Sequence, residues 1–307
     1  MNKNSLSELF SIEDQEAMAQ PRRTLLFDGH NLAYRTLFSA IFMSPDDNDK
    51  FFFWRHLFMN SFFSTIDRFN PERVVLAFDN TKNGCWRHEH FDGYKSKRKS
   101  ARDGAVVDFG KFFPVFNEFI KDIKETFKTI YVMDIPHSEA DDIIAILCRE
   151  KFQSTENIIV STDKDLYQLM IEKNNKQFDP IKNKMSVCVN PKKALDLKII
   201  AGDKSDCIPA IKPRTGPATA EAILRNGLDK YLEEEGKEVK ENYIRNRILI
   251  DFDFIPKDLS SEIINTYCNY DITDLDGAKL MKFFTKHKLN KMMDNWTNYS
   301  PLIKSLK

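Results

Sequence analysis

The 307-residue chain has no excess of either charge: 46 Lys and Arg balance 46 Asp and Glu. That excludes a uniformly basic protein that coats nucleic acid, and leaves room for separate basic and acidic patches. No apolar run approaches the roughly 18 residues that a membrane helix needs. The N-terminus lacks the apolar region of a signal peptide, being broken by Glu8, Glu13, Asp14 and Glu16. Cysteine is sparse: Cys85, Cys148, Cys188, Cys207 and Cys268 are scattered, with no close pair. This argues against a disulfide framework and a Cys-based zinc site, and suits a reducing cytoplasm. No internal repeat is evident. What is abundant is Phe, 25 residues, in a chain that is 42% hydrophobic and 30% charged. Such a composition belongs to a folded protein with a sizeable core.

Short apolar runs alternate with helical periodicity. Residues 24–27, 73–78, 129–133 and 157–160 read as strands, and residues 51–69 and 109–127 as buried or amphipathic helices. Ser138 reads as the N-cap of a helix carrying Ile143, Ile144 and Leu147. Residues 178–189 read as a hairpin, and the pattern after residue 195 is mainly helical. The densely charged stretch 229–247 reads as a solvated helix. Strand alternating with helix predicts an α/β fold, a mostly parallel sheet covered on both faces. Residues 1–23 form an extension, residues 24–195 the α/β domain, and residues 196–307 a helical C-terminal region.

The acids fall in a pattern. Three strand runs end on aspartate: Asp28, Asp79, and Asp163 with Asp165. The remaining one leads into Glu139, Asp141 and Asp142 at a helix start. Ligands bind beyond the carboxyl ends of the strands in open parallel sheets, so these acids converge if the sheet is as read. Asp203 and Asp206 are placed to join them from a loop. Any one of them is equally well an ordinary turn or helix-start residue. All eight together (Asp28, Asp79, Glu139, Asp141, Asp163, Asp165, Asp203, Asp206) are harder to dismiss. Two carboxylates about 4 Å apart repel by roughly 4 kcal/mol at an effective dielectric near 20. Such a cluster needs cations, and oxygen-only ligands suit Mg²⁺ or Mn²⁺. Paired divalent ions are the usual device for cutting phosphodiesters.

A basic stretch follows Asp79: Lys82, Arg87, Lys95, Lys97, Arg98, Lys99 and Arg102, against Glu89 and Asp92. Trp86, Phe91 and Tyr94 are interleaved, which suits phosphate contact and base stacking. His88 and His90 lack a third His or Cys at zinc spacing. A second candidate for backbone phosphate is Lys212, Arg214 and Gly216-Pro217-Ala218-Thr219, where a slim helix begins. Near the N-terminus, Leu6, Leu9 and Phe10 would share one helical turn and could anchor a partner or this protein's own core. Near the other end, Lys279, Lys282, Lys286, Lys288, Lys291, Lys304 and Lys307 face only Asp294. That suits DNA or an acidic partner.

These stretches resemble the phage branch of the 5′-nuclease, or flap endonuclease, family. The resemblance rests on LLFDGHNLAYR, VVLAFDN, GCWR, GYKSKR, the EADD segment at 139–142, VSTDKDLYQL and AGDKSDCIPAI. It spans roughly residues 24–226, and NRILIDFDFIP near residue 250 extends it. It implies a mixed central sheet with helices on both sides and two Mg²⁺ ions. Asp28, Asp79, Glu139 and Asp141 match the first-metal group; Asp163, Asp165, Asp203 and Asp206 match the second. Lys95 matches the lysine at the scissile phosphate, and Arg98 a nearby basic position. Residues 82–115 match the arch, with Arg87, Lys97 and Lys99 as DNA contacts. Residues 208–225, with Lys212, Arg214, Gly216 and Thr219, match the element that grips duplex backbone. The implied activity is 5′→3′ exonuclease and flap cleavage on DNA–DNA and RNA–DNA duplexes by a monomer in the host bacterial cytoplasm. It would remove RNA primers, and its implied partners are a sliding clamp and a single-stranded-DNA-binding protein. The loop reads IKPRTGPATA rather than the common Gly-Ile-Gly pattern. A PIN-type single-strand ribonuclease and a non-catalytic DNA-binding replication factor remain as other classes.

Overall fold

The computed structural model describes residues 22–43, 47–98, 107–297, 300, 303 and 306; side chains of 47–49 are outside the description. Its centre is a six-stranded sheet in the order β3-β2-β1-β4-β5-β6. The strands are β1 (Arg23–Asp28), β2 (Arg73–Ala77), β3 (Tyr131–Met133), β4 (Glu156–Val160), β5 (Asn175–Asp179) and β6 (Lys184–Met185). All neighbours are parallel except β5 and β6, the hairpin partners. The chain moves outward from β1 through β2 and β3, then crosses to the other side for β4. Strand order therefore reverses between β1 and β4, where α/β sheets open a crevice at their carboxyl ends.

Both faces are buried, and side-chain alternation along the strands divides the core in two. Leu25, Phe27, Val74, Leu76, Ile158 and Val160 face a Phe-rich layer; Leu26, Val75, Ala77 and Ile159 face the other. The first layer contains α1 (Gly29–Met43), α2 (Asp47–Phe69) and α3 (Phe109–Thr126). Its fully buried side chains include Trp54, Phe58, Phe62, Phe63, Phe112 and Phe119. Phe283 and Phe284 of α10 (Gly277–Lys286) complete it, with Phe119 stacked 5.7 Å from Phe283. The opposite layer contains α4 (Ala140–Glu150), α8 (Lys237–Ile250) and α9 (Lys257–Cys268). A small third core joins α5 (Pro191–Ala201), α6 (Pro217–Asn226) and α7 (Leu228–Glu235). The short α11 (Asn290–Asp294) follows α10.

Two local expectations shift. The N-cap of α4 is Glu139 rather than Ser138: Glu139 N donates to Asp142 Oδ2 at 2.9 Å, while Ser138 Oγ turns back to the Ile135 carbonyl. The charged stretch 229–247 is two helices, parted at Gly236 with φ +87°. The second of them, α8, buries Val239, Asn246, Leu249 and Ile250.

Candidate active site

The eight acids gather at the carboxyl end of the sheet. Asp28 closes β1, and α1 begins immediately after it. A side chain at Gly29 would meet Phe78 Cε1 at 2.3 Å and the Ala77 carbonyl oxygen at 2.7 Å, so only glycine allows this close start. Asp28 accepts hydrogen bonds from Asn31 N at 2.9 Å and Ser161 Oγ at 3.0 Å. Ser161 lies just past β4 and also accepts from Asp163 N at 3.0 Å, so it ties β1 to the other side of the crevice. Asp79 caps α4 from outside, accepting from Ala140 N at 2.8 Å, and its own N–H donates to His30 Nδ1.

Asp163 Oδ1 accepts from Asp165 N at 2.9 Å, and Gln177 fixes the Asp163 carbonyl at 2.7 Å. Asp165, Asp203 and Asp206 have carboxylate oxygens within 4.8 Å of one another. The chain reaches Asp203 through Gly202, whose φ is +73°; a side chain there would meet the Ile208 carbonyl oxygen at 2.5 Å. Ser205 Oγ donates to Asp203 at 2.5 Å. Tyr94 spans the two halves of the site, donating to Glu139 Oε2 at 2.7 Å and lying 3.4 Å from Asp206 Oδ2.

Three cations from the basic stretch meet the acids. Lys95 pairs with Glu139 and lies 3.6 Å from Asp206; Arg98 reaches Asp206 at 2.9 Å. Arg87 corrects the reading of it as a DNA contact. It is 2% exposed, and its guanidinium is held by Glu139 at 2.9 Å, Asp142 at 2.8 Å and the Leu249 carbonyl at 3.0 Å. No face of it is left for a phosphate. Trp86 and Tyr94 are likewise core side chains rather than stacking platforms, and Phe91 packs partly buried beneath Arg245. A fourth cation, Lys198 of α5, bridges Asp165 and Asp203. The sequence pattern does not single it out, because its partners lie 33 residues before it and five after it.

Lys97 is exposed, as are Lys212, Arg214 and Thr219; Gly216 is the half-buried N-cap of α6. Lys212 pairs with Glu235 at 2.6 Å. Lys99, Arg102, Leu6, Leu9 and Phe10 lie outside the described residues.

The electrostatics are those of an overfilled anionic site. Burial, with Asp79 and Asp163 nearby, pushes the Asp28 carboxyl up to about 7. Burial and the neighbouring Asp142 and Glu139 raise Asp141 well above the usual range. Burial also raises Asp165, with Asp163 adding to it. Glu139 goes the other way: burial opposes its charge, but Lys95 and Arg87 outweigh that and hold it at about 2. Lys198 and Ser205 likewise overcome burial at Asp203 and lower it. The donor set is all oxygen, and Asp141 Oδ1 is buried without a hydrogen-bond partner. The orphaned oxygen of Asp141 in one half, and the three-carboxylate cluster in the other, both fit divalent cations.

A doubly wound sheet with a carboxylate-lined crevice at its switch point, flanked by cations, defines a metal-dependent phosphodiesterase. Comparison with known proteins identifies which kind. The family described as 5′-3′ exonuclease, N-terminal resolvase-like domain, matches residues 23–198, and that described as T4 RNase H, C terminal, matches residues 219–299. The chain belongs to the 5′-3′ exonuclease family. Ribonuclease H of Enterobacteria phage T4 is 28% identical over 263 residues, 78% of this chain and 85% of that protein. The 5′-3′ exonuclease of Aquifex aeolicus is 32% identical over 213 residues, 65% of this chain and 68% of its own. In fold, the chain is similar to T5 5′-exonuclease with divalent metal ions (zinc) bound. The TM-score is 0.64 at 20% identity, covering 81% of this chain and 100% of that one. Among the described residues no helix is long and apolar enough to cross a membrane.

Proposed function

We propose that this nuclease is a Mg²⁺-dependent 5′→3′ exonuclease and flap endonuclease that acts on DNA–DNA and RNA–DNA duplexes and removes RNA primers during phage lagging-strand synthesis. The observation that carries this reading is the gathering of acids beyond the carboxyl ends of the strands, with Lys95 between Glu139 and Asp206. The phage T4 relative, named Ribonuclease H, supports the RNA–DNA substrate.

Asp28, Asp79, Glu139 and Asp141 would hold one divalent ion, and Asp163, Asp165, Asp203 and Asp206 a second, with Mn²⁺ able to substitute. Such ions neutralise the scissile phosphate and acidify an attacking water. The chain's own residues set the geometry. Lys95, which lies between Glu139 and Asp206, would donate to a phosphoryl oxygen, offsetting negative charge as it builds. Arg98 stands beside it at the more exposed rim, 44% open to solvent. Water attacks phosphorus in line, the bond to the 3′ oxygen breaks, and the products are a 5′-phosphate and a 3′-hydroxyl. Lys97 and Lys99 would contact the strand at the arch. Lys212, Arg214, Gly216 and Thr219 at the start of α6 would hold duplex backbone.

Residues 1–23, through Leu6, Leu9 and Phe10, would dock on the sliding clamp. The lysine-rich C-terminal segment would meet DNA or the single-stranded-DNA-binding protein. The enzyme would work as a monomer in the host cytoplasm. The deciding experiment incubates a 5′-labelled flap and an RNA-primed duplex with the protein, each with and without Mg²⁺. Mg²⁺-dependent release of 5′-phosphorylated products from both is expected; intact substrates in Mg²⁺, or equal cleavage without it, would contradict the reading. Lys95→Ala should lower single-turnover cleavage on the order of 100-fold with DNA affinity nearly kept. A variant altered only in binding would remove Lys95 from the chemistry.

A further inference from the structure

The segment NRILIDFDFIP, residues 246–256, carries none of the eight acids, yet it touches the supports of both groups. The Leu249 carbonyl accepts from Arg87, the guanidinium that holds Glu139. The next carbonyl, Ile250, accepts from Gln168 Nε2 at 3.1 Å. That same nitrogen donates to the Asp165 carbonyl at 3.1 Å, and Gln168 Oε1 accepts from Phe252 N at 2.9 Å. Gln168 is 4% exposed, so one buried amide spans three backbone groups. One turn back on α8, Asn246 is fully buried and donates to the Ile199 carbonyl at 2.9 Å and the Pro209 carbonyl at 2.8 Å. These flank Lys198 and the short Asp203–Ile208 bridge. The end of α8 thus fastens two separate segments: the turn bearing Asp165 and the loop bearing Asp203 and Asp206.

We propose that Gln168 is a positioning residue for the second carboxylate group, registering Asp165 against Asp203 and Asp206 through the C-terminal end of α8. The proposal rests on the reading of this site as a divalent-metal centre. Asp165 sits on a 3-10 turn rather than a strand, so its place relative to a loop 38 residues later depends on a shared anchor. Burial makes the anchor stiff, because hydrogen bonds are stronger in a low-dielectric interior. Outer residues that orient metal ligands typically matter about 10–100-fold in metal affinity.

The test uses the full chain. Mn²⁺ binding is followed by electron paramagnetic resonance, alongside kcat and KM on a 5′ flap. Wild type should bind two Mn²⁺. Gln168→Met should weaken one of them by about tenfold or more and leave the other unchanged. The same variant should lower kcat by about tenfold, with KM for DNA within about twofold. Should Gln168→Met not fold, Gln168→Glu replaces it, since it keeps the length and the acceptor for Phe252 but opposes two carbonyls. Asn246→Ala should weaken the same Mn²⁺ event. Unchanged Mn²⁺ affinities and kcat in folded variants, with only the melting temperature lowered, would overturn the proposal. A wild type that binds no Mn²⁺ would overturn the metal reading beneath it.

Discussion

Asp28 and Asp79 sit at the ends of central strands, and Glu139 and Asp141 at the start of a buried helix. Asp165, Asp203 and Asp206 sit on a 3-10 turn and a loop closed by a single β-bridge. The first group is placed by regular structure, whose hydrogen-bond ladders and core packing are shared with the whole domain. The second is placed by individual side chains: Ser161, Gln177, Lys198, Gln168 and Asn246. The cations that meet them differ as well. Arg87 and Lys95 meet the first group at Glu139; Lys198 meets the second between Asp165 and Asp203, and Arg98 reaches Asp206. In both groups some carboxyls stay raised, Asp28 and Asp141 in the first and Asp165 in the second. A site of this kind joins one half that the fold builds with another that must be pinned to it.

The comparison predicts where each half breaks. The largest effect should come from Asp28→Asn and Asp163→Asn, one from each group. Each should cut turnover by more than about 1,000-fold, since charge stabilisation at the phosphate depends on both. DNA binding should hold or improve, because each variant removes an anion near a polyanion. Quantitative binding and single-turnover assays separate the two, and near-normal turnover in Mg²⁺ by either variant would break the assignment.

Next comes Arg87→Met, which leaves the fully buried Asp142 and the nearly buried Glu139 without their fork. Breaking such a pair costs about 3–5 kcal/mol. Urea unfolding should show that loss, whereas a surface DNA contact would show almost none.

A smaller, pH-dependent effect belongs to Asp28 in the metal-free protein. Its carboxyl is raised to about 7, so the folded state holds its proton where the unfolded state has released it. Stability from this residue is full below its ordinary range near 3.8 and falls as pH rises to about 7. In metal-free protein, Asp28→Asn lacks this falling contribution, so its melting temperature should gain on that of wild type as pH rises across the window. An equal slope in the variant would show that the carboxylate is already ionised in the fold.

Smallest are the contacts remote from the acids. Arg214→Ala should weaken duplex binding several-fold and reduce the salt slope by about one. Lys212→Ala should do less, because that lysine already faces Glu235. Titrations at several salt concentrations measure both.

Most of the first half was legible in the sequence. Apolar runs ending on Asp28 and Asp79 give strand, carboxyl end and acid in one glance, because local pattern and position coincide there. The second half was legible as a set of acids but not as a structure. Lys198, Gln168 and Asn246 act through contacts with residues up to 84 positions away, and no local periodicity reports such contacts. The charge run at 82–102 misled for a related reason. Arg87 looks like a surface cation until Glu139 and Asp142, more than 50 residues later, fold against it. The stretch 229–247 hid α8 because its exposed charges outnumber the few inward residues that matter.

The central claim is that two sets of carboxylates, built differently, each hold a divalent ion. Anomalous scattering from crystals grown with Mn²⁺ tests it most directly. Two peaks are expected, one among Asp28, Asp79, Glu139 and Asp141, the other among Asp163, Asp165, Asp203 and Asp206. Well-ordered acids with no anomalous peak between them would contradict it.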